Sequence, residues 1–200
     1  MRVIGITGGV GAGKSTVLTM LKQLCKCDII MSDDVAKSMM NKGGELEPWA
    51  IKIFGDKAYN ESGDFDRAYV ASVIYGDDYI KEKWNGIVHP MVNKKIACCI
   101  DDNRKSGRYD FTFIEAALLI ENHYDKICDE LWYVYADENT RIERLKKQRG
   151  YTPQKTKSII SAQQSDSQFR KYCNFVIDTG NGMDATRQIL QNKLEEYALI

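Results

Sequence analysis

Apolar residues fall in blocks along the chain, and the spacing within the blocks changes from one to the next. Residues 2–7 (RVIGIT) form a short β-branched run that stops at glycine, which predicts a buried strand. From Lys14 the period becomes helical, with Val17, Leu18, Leu21 and Leu24 on one face. Residues 27–31 (CDIIM) predict a second strand, and Ser32-Asp33-Asp34 is expected to cap the helix after it. Strand patterns return at 109–115 (YDFTFIE), 131–135 (LWYVY) and 174–177 (NFVI). A charged helix is predicted over 138–149 and is broken by the run from Gly150 to Pro153, and a last helix covers 184–197.

Residues 42–108 read differently. This stretch is mostly helical, rich in charge and aromatics, with turns at Asn60–Gly63 and Gly76–Asp78. His89-Pro90 is expected to kink or end a helix, because proline disfavours α geometry in the residue before it. Strands alternating with helices imply an α/β fold, a parallel sheet with helices on both faces. Two hundred residues suit one such domain with a helical insert.

Charge narrows the function classes. The 28 basic and 28 acidic residues balance, against a general nucleic-acid binder with its net basic surface. No run is apolar for the ~18 residues of a membrane span. Met1-Arg2 leads at once into a strand, so no signal peptide is expected. The six cysteines lack paired CxxC spacing, and only His89 and His123 accompany them. The expectation is reduced thiols in a cytoplasmic protein, without a zinc site.

Between the first strand and its helix lies GGVGAGKS, from Gly8 to Ser15, which fits G-x-x-x-x-G-K-[ST]. Glycines let consecutive N–H groups curl toward phosphate oxygens, and the helix adds its positive end. Gly9, Val10, Gly11, Ala12, Gly13, Lys14, Ser15 and Thr16 are therefore the expected triphosphate-binding residues, with Ser15 on Mg²⁺ and ATP as the nucleotide. Asp33, just past the second strand, is placed either as a general base for an attacking hydroxyl or as a helix cap. Glu121 closes FIEAALLIE and is a candidate to orient substrate or metal-bound water, with Glu115 as its competitor. Arg141, Arg144 and Arg149 lie along the charged helix, where they read as a nucleotide clamp or, slightly favoured, as a solvated face. His89 alone reads most simply as structural. D-x-x-G and N-K-x-D do not follow the third and fourth strands, which weighs against a GTPase-like switch.

Together these segments resemble the dephospho-CoA kinase family. GITGGVGAGKST is similar to its G-L-T-G-G-I-G-S-G-K-S-x-V, and SDDVAKSM to its D-A-D-x-x-A-R. The stretch from Gly63 to Pro90 resembles its G-x-L-x-R…L-N-x-I-x-H-P, ALLIE its P-L-L-F-E, SAQ its A-Q, and NFVIDTGNG its A-D-x-V-I-D-N-x-G. The resemblance implies a P-loop core (about 1–32, 106–141 and 171–200) with sheet order 2-3-1-4-5, a helical substrate-binding insert (about 33–105) and a lid (about 142–170). It implies phosphorylation of the ribose 3′-hydroxyl of dephospho-CoA by ATP with Mg²⁺. Asp33 would be the base, Lys14 and Arg144 would act on the phosphates with Arg141 and Arg149 beside them, and Arg67, His89 and Glu121 would line the acceptor side. Departures from the pattern are Met31 for the first acid of D-A-D, Ala117 for proline, Gln148 for a lid arginine and Thr179 for asparagine. The expected partner is a small-molecule substrate, with no nucleic acid or membrane, and the chain is expected to be a monomer, weak self-association aside. The alternatives are a nucleoside or nucleotide monophosphate kinase and a non-catalytic nucleotide-binding switch.

Overall fold

A computed structural model describes residues 1–198, which fall into two compact units, Met1–Ile29 with Asp102 onward, and Ile30–Asp101. The first holds most of a five-stranded sheet in the order β2-β3-β1-β4-β5, formed by β1 (Arg2–Thr7), β2 (Cys27–Met31), β3 (Phe111–Glu115), β4 (Glu130–Tyr135) and β5 (Phe175–Asp178). The central strand β1 pairs in parallel with β3 and β4, and β4 pairs in parallel with β5. Val3, Ile4 and Ile6 are fully buried, as a parallel strand covered on both faces must be. Gly5 sits among them because a Cβ there would lie 2.8 Å from Leu131 and 2.9 Å from Leu119.

Helix α1 (Lys14–Leu24) buries Val17, Leu18, Met20 and Leu21; Leu24, its last residue, is only half-buried. Helix α6 (Glu138–Arg149) is capped by Asp137 and ends on Gly150 in the left-handed region (φ 65°). The break after it is short. Thr152 caps α7 (Pro153–Ser161), Pro153 serving as a first-turn residue, and Ser165 forms a capping box on α8 (Asp166–Tyr172). Phe169 of α8 stacks on Tyr133 of β4 at 4.7 Å, which anchors this segment to the sheet. The last helix of the unit, α9, runs Met183–Ala198.

The second unit contains α2 (Ser32–Met40), α3 (Glu47–Phe54), α4 (Arg67–Gly76) and most of α5 (Asp78–Ser106). Its core joins Met39, Leu46, Ala50, Phe54 and Val70 to a stripe along α5 at every fourth residue: Trp84, Val88, Val92, Ile96 and Ile100. Phe54 meets Trp84 edge-on at 5.1 Å.

Two local expectations are corrected. Helix α5 does not end at His89-Pro90 but runs through it. Proline removes one N–H, and its ring crowds the carbonyl four residues back, on Gly86; both Pro90 and Gly86 are exposed, so that carbonyl lies on the solvent side of the helix while Val88 and Val92 stay buried. Nor do Ser32-Asp33-Asp34 cap α2. The strand passes straight into the helix, Met31 takes the cap position without a side-chain bond, and Asp33 and Asp34 fall in the first turn. There they meet the positive helix end rather than close it. No helix among the described residues is long and apolar enough to cross a membrane.

Candidate active site

The loop joining β1 to α1 is shaped by backbone conformations that only glycine adopts easily. Gly8 has φ 147°, and a Cβ on it would lie 2.3 Å from the Val134 carbonyl oxygen. Gly13 caps α1 with φ 98°. Lys14 bends back over the loop, donating from Nζ to the Gly8 carbonyl at 2.8 Å, and its ammonium lies 3.7 Å from Oε1 of the buried Glu115.

The carbonyl side of the loop is gripped by the rest of the unit. Arg141 donates through Nε to the Val10 carbonyl (2.8 Å) and through Nη2 to Gln163 Oε1 (2.7 Å). The same Gln163 oxygen accepts the Val10 N–H at 3.0 Å, so both polar groups of that peptide position are held from one side. Arg144 donates through Nη1 to Thr179 Oγ1 (2.9 Å) and the Ala12 carbonyl (3.3 Å), and through Nη2 to the Thr179 carbonyl (2.7 Å). Thr179 Oγ1 donates in turn to the Ala12 carbonyl at 2.7 Å. Burial pushes Arg141 below the ordinary arginine value, with Tyr133 and Glu138 opposing, yet guanidinium stays charged at any ordinary pH.

The solvated-face reading of the arginines is therefore corrected for Arg141 and Arg144. Both are half-buried and bound to the loop, because α6 turns their face onto it while its other charges point outward. Arg149 differs. It is exposed, its guanidinium lies 6.0 Å from the Tyr151 ring, and among the described residues it has no hydrogen bond to the loop. Gln148 is exposed as well.

Past β3, Glu121 is exposed in a turn and accepts from Gln164 Nε2 at 2.7 Å. Asp33, Arg67 and His89 belong to the helical unit. Asp33 is exposed in the first turn of α2, and Arg67 is exposed at the first position of α4, after the Asp66 cap. His89 is half-buried on α5, and desolvation lowers its pKa below the usual histidine value.

Two contributors lack a signal in composition or spacing. Gln163 entered only as part of SAQ, with no role attached, and Thr179 only as a missing amide. Their importance comes from contacts across 153 and 167 residues of chain, which no local pattern encodes. Nucleotide and metal fit what is present. A cradle whose Val10 and Ala12 carbonyls are held from outside, with a lysine across it, suits polyphosphate, while the oxygens of Ser15 and Glu115 suit a hard cation such as Mg²⁺. Four buried side-chain oxygens have no hydrogen-bond partner among the described residues, on Thr7, Thr156, Gln164 and Tyr197; Thr7 ends β1 where the loop begins.

Known proteins match this arrangement along its length. The family model described as dephospho-CoA kinase matches residues 2–185. A dephospho-CoA kinase of Staphylococcus epidermidis is 31% identical over 202 residues, covering 100% of this chain and 97% of that protein. Among solved structures, a Thermus thermophilus protein superposes with TM-score 0.77 at 22% identity, covering 98% of this chain and 97% of its own. The dephospho-CoA kinase of Campylobacter jejuni follows at 0.73 and 18%, covering 98% and 96%; at these identities the likeness speaks to the fold.

Proposed function

The chain belongs to the dephospho-CoA kinase family, and from that membership we propose that it transfers the γ-phosphoryl group of ATP to the ribose 3′-hydroxyl of dephospho-CoA. The products are coenzyme A and ADP, the last step of coenzyme A synthesis. The observation that carries this reading is the family match across residues 2–185, which takes in the intact glycine cradle. When bound, Mg²⁺·ATP supplies the transferable phosphoryl group and part of the charge neutralisation.

The chain's own residues supply position and charge. The amide edges of Gly9, Gly11, Gly13, Lys14 and Ser15, with the positive end of α1, hold the β- and γ-phosphates. Lys14, parked between Gly8 and Glu115, turns its ammonium to the γ-phosphate. Ser15 and Glu115 would be the oxygen donors for Mg²⁺. Arg141 and Arg144 act first through the loop, keeping its tip and its Ala12 peptide in place. Arg144 is also the lid cation assigned to the transferring charge, and the exposed Arg149 is assigned to the nucleotide's rim. Asp33 accepts the proton of the attacking hydroxyl, while Arg67, His89 and Glu121 orient the acceptor. The helical insert, about 33–105, carries the acceptor, and the lid, about 142–170, excludes water from the transfer. The same reading takes the chain to work in the cytoplasm as a monomer, weak self-association aside.

The test is acceptor-dependent ADP release from ATP and Mg²⁺, with dephospho-CoA set against a panel of nucleosides and nucleoside monophosphates. Turnover with dephospho-CoA is expected. Turnover only with a nucleoside or its monophosphate overturns the reading, and none with any acceptor points to a nucleotide-binding switch.

A further inference from the structure

Gln163 and Gln164 follow α7 and precede the capping box at Ser165. Adjacent in sequence, their carboxamides go to different places. Gln163 Oε1 accepts from Val10 N–H (3.0 Å) and from Arg141 Nη2 (2.7 Å), closing a ring on the tip of the phosphate cradle. Gln164 Nε2 donates to Glu121 Oε1 at 2.7 Å. That bond fixes the amide's orientation, since a carboxylate accepts only from the NH₂ end and a flipped amide would set oxygen against oxygen. The opposite end, Gln164 Oε1, is buried and has no partner among the described residues.

A buried acceptor left unmatched carries a desolvation cost, which a donor supplied by a ligand would remove. Gln164 lies next to the residue that clasps the loop and is bonded to Glu121, which the functional reading puts on the acceptor side. We propose that the two glutamines divide the substrates between them: Gln163 is a positioning residue for the ATP cradle, and Gln164 Oε1 accepts a hydrogen bond from a hydroxyl or N–H of the phosphoryl acceptor. The acceptor half rests on the reading that dephospho-CoA is that acceptor. Dephospho-CoA carries several such donors, in ribose hydroxyls, an adenine amine and two amide N–H groups. Glu121 then acts in part through Gln164, fixing which end of the carboxamide is left to accept.

Gln163→Met and Gln164→Met keep length and remove the amide, so they separate the two roles. For Gln164→Met, KM for dephospho-CoA rises about 10-fold, as for the loss of one hydrogen bond in a desolvated site, while KM for ATP stays within about 2-fold. Gln163→Met gives the mirror result, with weaker ATP binding in titrations of a fluorescent ATP analogue and little change in KM for the acceptor. Removal of a merely structural contact would move both constants together. Equal rises in both, or an unchanged acceptor KM in Gln164→Met, overturn the division. Thermal melting and analogue binding by Gln164→Met check that its donor site is intact. If the wild-type chain releases no ADP with dephospho-CoA, the reading of the acceptor has failed and the role of Gln164 falls with it. Analogue binding by wild type and Gln163→Met still decides the role of Gln163.

Discussion

Thr179→Val tests how much of the cradle is held from outside. Valine keeps the shape of threonine and removes only the hydroxyl, which donates to the Ala12 carbonyl at 2.7 Å and accepts from Arg144 at 2.9 Å in a buried setting. One bond is neutral, worth about 0.5–1.5 kcal/mol, and one involves a charged donor, worth about 1.5–3 kcal/mol. Arg144 keeps its bond to the Thr179 carbonyl at 2.7 Å, so the guanidinium is not stranded and the loss should total about 2–3 kcal/mol. For a chain of this size each kcal/mol lowers Tm by about 2–4 °C, which gives a drop of about 4–12 °C. ATP with Mg²⁺ should raise the Tm of both proteins, but less in the variant at equal nucleotide concentration, because the loop must be re-ordered on binding. Melting curves with and without Mg²⁺·ATP measure both effects, and Thr179→Ser, which keeps the hydroxyl, should recover most of the loss. A Tm within about 1 °C of wild type, with an unchanged nucleotide shift, would refute the idea that this hydroxyl joins α6, β5 and the loop.

Other expectations follow from single observations. Gly8→Ala places a Cβ 2.3 Å from the Val134 carbonyl at φ 147°, so binding of an ATP analogue should be lost; Gly107→Ala, at φ 60° with nothing within 4 Å, should cost only about 1 kcal/mol in denaturant melts. Asp33→Asn should lower kcat by ~10²-fold or more while ATP still binds, and near-normal single-turnover rates would remove it as the base. His89 has a folded pKa below its ordinary value of 6.5, so the unfolded chain takes up its proton first as pH falls. The neutral form's stability is thus complete above pH 6.5 and declines below it. Tm should therefore fall as pH drops through that value, and His89→Gln should flatten this part of the profile.

The local pattern determined the strands, their order of appearance and the glycine loop, because a two-residue or 3.6-residue period and a run of glycines are properties of neighbouring residues. It also placed Lys14 and Ser15, whose positions follow from the loop's own spacing. The same local rules misjudged Pro90 and Ser32. Whether a proline ends a helix depends on the burial of Val88 and Val92 on either side, and whether a serine caps one depends on how directly β2 feeds α2.

What tertiary structure alone decided is the direction in which long polar side chains point. Arg141 and Arg149 stand on one charged helix, yet the first closes on the Val10 peptide and the second faces solvent. The resemblance marked Thr179 as a departure, and the packing makes it a junction between two segments 167 residues apart in sequence. The adjacent glutamines divide for the same reason. Composition cannot distinguish one carboxamide from its neighbour, whereas a fold that brings Val10 to one and Glu121 to the other gives each a different partner. Hydrogen bonds between distant segments depend on where the folded chain brings their partners, and sequence periodicity carries no record of that.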